Sequence, residues 1–404
     1  MTEPSKAVPP LTGLRVLDLS RVLAGPWCAM MLADLGADVI KLEPPGAGDD
    51  TRSWGKRIAG QESTYFLSAN RSKRGIAVDL ARPEGAALAR RLAERSDVLV
   101  ENFKLGGLGK FGLDYDSVAR LNPRLIYCSI SGYGRTGPNA ARAGYDVVIQ
   151  GESGLMSITG EPDGPALKVG VALADIMTGQ YAASAILAAL IARGASGQGQ
   201  HIDLALIDCT MANLANVASS ALCLDTVPKR YGNAHADIAP YQTFAAADGD
   251  VVVAVGNDGQ FRKFCTDVLG KPELAADPRF TGNPVRSQHR DALLPIVASV
   301  MKEKPRAWWI ERMLAAGVPG GAVRDVKEAL ASPEAKARRM VREVPHPLAG
   351  TVKLMGSPLN FSATPVREPA APPTLGQHTD EVLREVLGME LPEIVRLRQV
   401  GAIA

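Results

Sequence analysis

Through the first half of the chain, short apolar runs alternate with longer stretches of helical period. Residues 14–19 (LRVLDL) predict a buried strand, and Gly25-Pro26 opens a helix, since proline is tolerated at the first helical position. That helix runs to Leu35, Gly36 stops it, and residues 39–42 (VIKL) predict a second strand. The unit recurs in residues 76–80, in a helix opened by Pro83-Glu84, and in residues 98–100. A further strand over 125–130 runs into Ser131-Gly132-Tyr133-Gly134. Strands alternating with helices specify an α/β fold, with a parallel sheet covered on both faces. Ligands of such sheets sit beyond the carboxyl ends of the strands. The loops after Leu19, Leu42, Val100 and Ile130 are therefore where chemistry is expected.

From Asp175 onward the period changes. Residues 176–193 predict a long apolar helix, closed by the glycine-rich stretch 194–199, and a short strand at 202–206 leads to helical sequence over 208–224. Beyond Val227-Pro228, two strand patterns flank Asp248-Gly249-Asp250, and helices follow near 260–269 and 290–301. The proline-rich stretch 358–373 predicts an extended strap rather than a core element. A last helix starts near Asp380. The expected organisation is a large domain over 1–225, a smaller α/β domain over 226–330, and a C-terminal return over 331–404.

Composition narrows the class. Lys and Arg number 45 against 43 Asp and Glu, and a net charge of +2 gives no electrostatic ground for binding nucleic acid or an anionic membrane. The longest apolar run, 181–192, falls short of the roughly 18 residues of a membrane span. The first ten residues hold one Lys, one acid and three prolines, with no apolar core of a secretory signal behind them. Five cysteines (Cys28, Cys128, Cys209, Cys223, Cys265) lack CxxC spacing and read as the reduced thiols of a cytoplasmic protein.

Several chemistries are missing. Glu43 stands where a ribose-binding acid would, but the turn before it reads Ser20-Arg21-Val22-Leu23-Ala24-Gly25-Pro26 rather than GxGxxG, and no P-loop occurs. The five histidines are isolated, without metal-ligand spacing, and Gly-x-Ser-x-Gly is absent. One acid stands out. Asp175 is the only charged residue between Lys168 and Arg193, and it precedes a helix. It reads as a helix N-cap. It also reads as a carboxylate kept ionised by the helix dipole in a partly dry pocket, where its oxygen can attack an activated carbonyl.

A series of ordered motifs resembles the class III coenzyme A transferases (the CaiB/BaiF type, which includes formyl-CoA transferase and alpha-methylacyl-CoA racemase). Leu14-Arg15-Val16-Leu17-Asp18-Leu19-Ser20-Arg21, Ala24-Gly25-Pro26, Gly36-Ala37-Asp38-Val39-Ile40-Lys41-Leu42-Glu43 and Gly48-Asp49 match its opening. Asn70-Arg71-Ser72-Lys73-Arg74, Glu101-Asn102-Phe103, Gly144-Tyr145-Asp146 and Ala174-Asp175-Ile176 continue the match, which runs from about residue 12 to 385.

The resemblance implies a Rossmann-like large domain, ring-shaped subunits interlocked in a homodimer, and Asp175 as a nucleophile forming an aspartyl anhydride and then an aspartyl-CoA thioester. It implies acyl-CoA and a carboxylic acid as substrates, no tightly bound cofactor and no metal. Val22, Val78, Leu80, Asn102 and Phe103 would frame CoA, with Lys110 at a phosphate. Trp54, Tyr65, Tyr145, Gly256 and Gly259 would face the acyl substrate. Two departures affect the phosphate end, where Pro44 and Ala143 replace basic residues, and Lys73, Arg74 or Arg142 are candidate substitutes. Arg52, Arg71, Arg74 and Arg135 are candidates for holding a second carboxylate. The stretch 144–156 is most similar to succinyl-CoA:dicarboxylate members. Tyr145 stands where racemases of the family carry histidine, and a phenol with a pKa of about 10 is a poor base at neutral pH. A 2-methylacyl-CoA racemase and a non-enzymatic CoA-binding protein are the alternatives.

Overall fold

Two short strands, β1 (Arg15–Asp18) and β2 (Asp38–Glu43), bracket helix α1 (Ala24–Asp34) and start the main sheet. This computed structural model describes residues 7–404; the first six residues, part of the stretch read above for a signal, lie outside the described residues. A two-residue-strand hairpin, β3 (Arg57–Ile58) and β4 (Glu62–Ser63), leads into α2 (Thr64–Ala69). Then come β5 (Arg74–Ala77), α3 (Pro83–Glu94), β6 (Val98–Glu101), α4 (Tyr115–Leu121) and β7 (Ile126–Ser131). Helices α5 (Asp146–Glu152) and α6 (Leu173–Ser196), strand β8 (Gln200–Ala205), and helices α7 (Leu206–Ala212) and α8 (Ala215–Leu224) follow.

Six of these strands form one parallel sheet in the order β5-β2-β1-β6-β7-β8. That is the doubly wound order, and its direction reverses between β1 and β6. Successive residues of a strand point to opposite faces. Leu17, Ile40 and Leu99 accordingly pack with α3 and with Val382, Leu383 and Ile394 on one face. Val16, Val39, Val98 and Ile126 pack with α1 and α6 on the other. The expected α/β class with a parallel, doubly covered sheet is what forms.

The chain divides into two compact units. The first takes in the described chain up to Leu155, Lys168–Ser219 and Pro333–Ala404; the second takes in Met156–Leu167 and Ser220–Ser332. Within the second, β9 (Tyr241–Ala246), β10 (Gly249–Ala254) and β11 (Gly320–Ala322) form an antiparallel sheet around Phe244, Val251, Phe264 and Trp309. The first unit also holds a hairpin that the sequence reading did not anticipate, β12 (Val341–His346) with β13 (Gly350–Met355). The proline-rich strap has no regular element over most of its length and is tied down at Ser72, whose amide donates to Ala370 O at 3.0 Å, and at Asp34 O, which accepts from Arg367 N at 2.8 Å. All five cysteines are free thiols.

Two helical expectations need correction. The stretch 208–224 is two helices, because Ala215 takes φ +46° and interrupts the hydrogen-bond ladder. The long apolar helix starts at Leu173, not after Asp175, and with 24 residues it is long and apolar enough by length and composition to cross a membrane. Here α6 packs instead on α1 and the sheet. Gly179 makes that possible: a Cβ there would lie 2.7 Å from Ala24 O and 3.1 Å from Trp27 Cβ. Gly179→Val is expected to wedge α6 from α1 and cost about 2–3 kcal/mol of stability, read as a lower urea midpoint with an unchanged slope.

Candidate active site

The loops leaving β1 and β6 flank the point where strand order reverses, and a cleft of about 210 Å³ opens between them. Val22 and Leu23 come from the first loop, Asn102 and Phe103 from the second, Tyr145 and Asp146 from the start of α5, and Asp175 from the first turn of α6.

Asp175 is not the N-cap. That position is Ala172, which makes no side-chain cap, and the amides of Ala174 and Asp175 instead donate to Asp146 Oδ1 at 2.8 and 3.4 Å. The other oxygen of Asp146 accepts from Gln150 Nε2 at 2.7 Å. A carboxylate from α5 thus does the capping that Asp175 would do in the simpler reading, and among the described residues the Asp175 carboxylate has no hydrogen-bond partner. Burial, then the nearby charge of Asp146, pushes its pKa up to about 7. The expectation that the helix dipole keeps it fully ionised is corrected: near neutrality, burial outweighs the dipole. Tyr65 on α2 lies within the field of this pair; burial, then Asp175, Asp146 and Asp49, raises its pKa. Trp54 packs edge-on against Tyr65 with ring centroids 5.5 Å apart, outside the cleft lining.

Val22 lines the cleft in a left-handed conformation, φ +70°, which is strained for a β-branched residue. Asn102 uses its side chain internally, accepting from Arg21 N at 2.9 Å and donating to Arg21 O at 2.7 Å. The Phe103 ring lies under the Arg21 guanidinium, 5.6 Å from centroid to carbon. Within the first unit, Val78, Leu80 and Lys110 do not line the cleft. Val78 is fully buried in the core and bridged to Ile403, and Leu80 packs at the edge of the same core. Lys110 is exposed beside Phe111, away from the cleft lining. Gly256 and Gly259 belong to the second unit, where Gly256 N donates to Gln260 Oε1 at 2.8 Å.

The cations are redistributed as well. Arg52 bonds Glu43 at 2.6 Å, so Glu43 is a buried ion-pair partner. Arg71 pairs with Asp34, Arg74 with Asp38, Glu381 and Glu385, and Arg135 with Glu101; Lys73 is buried against Asp18. None of these five lines the cleft. The cations that do are Arg21, Lys104 and Arg142, of which Arg142 is held by Glu152 at 2.5 Å. Nothing in the spacing of Arg21 and Lys104 separates them in sequence from surface charge, although both line the cleft. The capping role of Asp146 was missed because its partners lie 28 and 29 residues away.

The model of CoA-transferase family III matches residues 11–379. The succinate–glutarate CoA-transferase of Agrobacterium fabrum is 46% identical over 396 residues, spanning 96% of this chain and 99% of that protein. The succinyl-CoA:glutarate CoA-transferase of Homo sapiens is 42% identical, over 98% of this chain and 90% of that protein. A crystal structure of a CAIB/BAIF family protein from Brucella suis superposes with a TM-score of 0.86 at 46% identity, covering 94% of this chain and 100% of that one. The likeness extends over nearly the whole chain in sequence and in fold: this chain belongs to CoA-transferase family III.

Proposed function

We propose that this enzyme moves CoA from succinyl-CoA to glutarate or a related dicarboxylic acid, with Asp175 as the covalent nucleophile. The observation that carries the reading is the Asp175 carboxylate, sheltered, without a hydrogen-bond partner among the described residues, and lining a cleft at the strand ends. The relatives named for succinyl-CoA and glutarate at 42% and 46% identity point to the same substrate class. A poorly solvated carboxylate is a stronger nucleophile than a hydrated one.

An Asp175 oxygen attacks the thioester carbon, the C–S bond breaks, and CoA thiolate leaves a mixed anhydride. The thiolate attacks the aspartyl carbonyl and the succinate carboxylate departs, giving an aspartyl-CoA thioester. The acceptor carboxylate then attacks that carbonyl and re-forms an anhydride, releasing thiolate. Attack of the thiolate on the acceptor acyl carbon yields the new thioester and restores Asp175. Exclusion of water keeps the anhydride for thiolate and not for hydrolysis. Arg21 and Lys104 are the cleft cations for a distal carboxylate or the CoA phosphates, with Arg142, which Glu152 holds, beside them. Homodimerisation is part of the same reading, supported by α8, an apolar helix with no buried residue and with Leu222 84% exposed.

The test is a screen of mono- and dicarboxylic acids with succinyl-CoA, read by mass spectrometry. Glutarate is expected to yield glutaryl-CoA, and hydroxylamine to trap an adduct on Asp175. Deuterium uptake at the α-carbon of a 2-methylacyl-CoA without any acceptor acid, or CoA binding with no exchange, would sink the proposal.

A further inference from the structure

Much of the N-terminal family signature does not face the cleft at all. Asp18, Ser20, Lys41, Asp49, Asn70 and Lys73 come from four separate motifs and converge, buried, beneath the loop after β1. Lys73 Nζ donates to Asp18 Oδ2 at 2.9 Å, Asn70 Oδ1 at 2.8 Å and Pro26 O at 2.9 Å. Lys41 Nζ donates to Asp49 Oδ2 and to Ser20 O, both at 2.9 Å. The four charged side chains are fully excluded from solvent, and two ammonium groups cancel two carboxylates. Buried ion pairs are poor stabilisers compared with apolar packing. What they supply is direction.

The loop above depends on that direction. Ser20 N donates to Asp18 Oδ1 at 3.0 Å, and Ser20 O accepts from Lys41. Arg21 N and O both end on the Asn102 side chain. Val22 N donates to the two oxygens of Asp49, 3.3 Å from each. Five successive backbone polar groups are thus held by side chains. Thr51 completes the set, its amide and hydroxyl donating to Asp49 Oδ1 at 3.0 and 2.8 Å. Gly25 lets the start of α1 close onto the loop, because a Cβ there would lie 2.3 Å from Ser20 Cβ. The segment so clamped contains Val22, the β-branched residue at φ +70° that lines the cleft.

We propose that Asp49, backed by Lys41, Asp18 and Lys73, is a positioning group that holds Val22 in its left-handed conformation and so fixes the cleft wall that receives CoA. The ligand in this proposal rests on the CoA-transfer reading above; the geometry does not. The test is a double-mutant cycle on the dissociation constant of CoA, measured by calorimetry. Asp49→Asn keeps the shape and removes the charge opposite Lys41. It is expected to weaken CoA binding about tenfold with Val22 in place, and by less than about threefold in the Val22→Gly background, because glycine takes that conformation without strain. Equal losses in the two backgrounds, or no loss in either, would overturn the proposal. Should Asp49→Asn not fold, Thr51→Val removes only the hydroxyl held by Asp49 and enters the same cycle. A smaller loss confined to the Val22 background is then expected, and equal losses again refute. Because the readout is binding, a wild-type protein that binds CoA but moves none to any acid refutes the transfer reading while this cycle still decides the role of Asp49.

Discussion

Asp175→Ala is expected to lower CoA transfer by about four orders of magnitude or more, to abolish the hydroxylamine-trapped adduct, and to leave CoA binding largely intact. The same variant is expected to be more stable than the wild type at alkaline pH. The folded protein raises the Asp175 pKa from its ordinary 3.8 to about 7. The protonated form is therefore the one the fold favours; that stability is complete below the ordinary value and is lost as pH rises through about 7. At full burial the loss would be about 4 kcal/mol, and solvent reaching the carboxylate through the open cleft reduces it to about 2 kcal/mol. Urea unfolding of both proteins at pH 8 and at pH 4 reads the difference, which should be present at the first and absent at the second. Retained transfer by Asp175→Ala would remove the mechanism. Equal stability at pH 8 would contradict the buried-carboxylate account of the site.

The second large effect is on the pH profile. Only ionised Asp175 attacks a thioester, so kcat/KM for succinyl-CoA is expected to rise with pH through about 7, far above the range of an ordinary aspartate. Asp146 contributes to that position through its charge, although burial contributes more. Asp146→Asn removes the charge while keeping an oxygen to accept the Ala174 amide. The midpoint should move about one unit toward acid, and activity at pH 6 should rise relative to activity at pH 8. A kcat/KM that is flat from pH 5 to 9 in the wild type would falsify the assignment of Asp175 as the titrating group.

The parallel sheet was legible because each strand is a short apolar run and each intervening helix has its own opening and stop, as with Pro83 and Gly36. The cleft was legible at coarse grain, since the loops after Leu19 and Val100 are those that flank the strand-order reversal. The details that decide the chemistry were not. Asp175 reads as a helix cap in sequence because local spacing cannot report that Asp146, from another helix, takes the amides first. Val78 and Leu80 are CoA contacts by resemblance, and the burial of Val78 against Ile403 is a long-range event that local sequence does not report. Among the arginines, sequence shows charge but not the partner: Arg71 meets Asp34 and Arg135 meets Glu101 only after folding. The β12–β13 hairpin gives a weak strand signal, because its strands carry charges on exposed positions and a proline within one of them.

One face of the sheet is closed by sequence made long after its strands. Leu17, Ile40 and Ile76 share their core with Val382, Leu383, Ile394 and Leu397, from Thr379–Leu387 and Leu391–Gln399. While the polypeptide is still on the ribosome, the strands of this sheet are complete well before those closing helices exist. At ~5–20 residues per second the uncovered apolar surface persists on the order of ten seconds or more. Newly made chains should therefore need a holding chaperone through that interval, and a synthesis arrest placed before Thr379 should leave a product prone to aggregation.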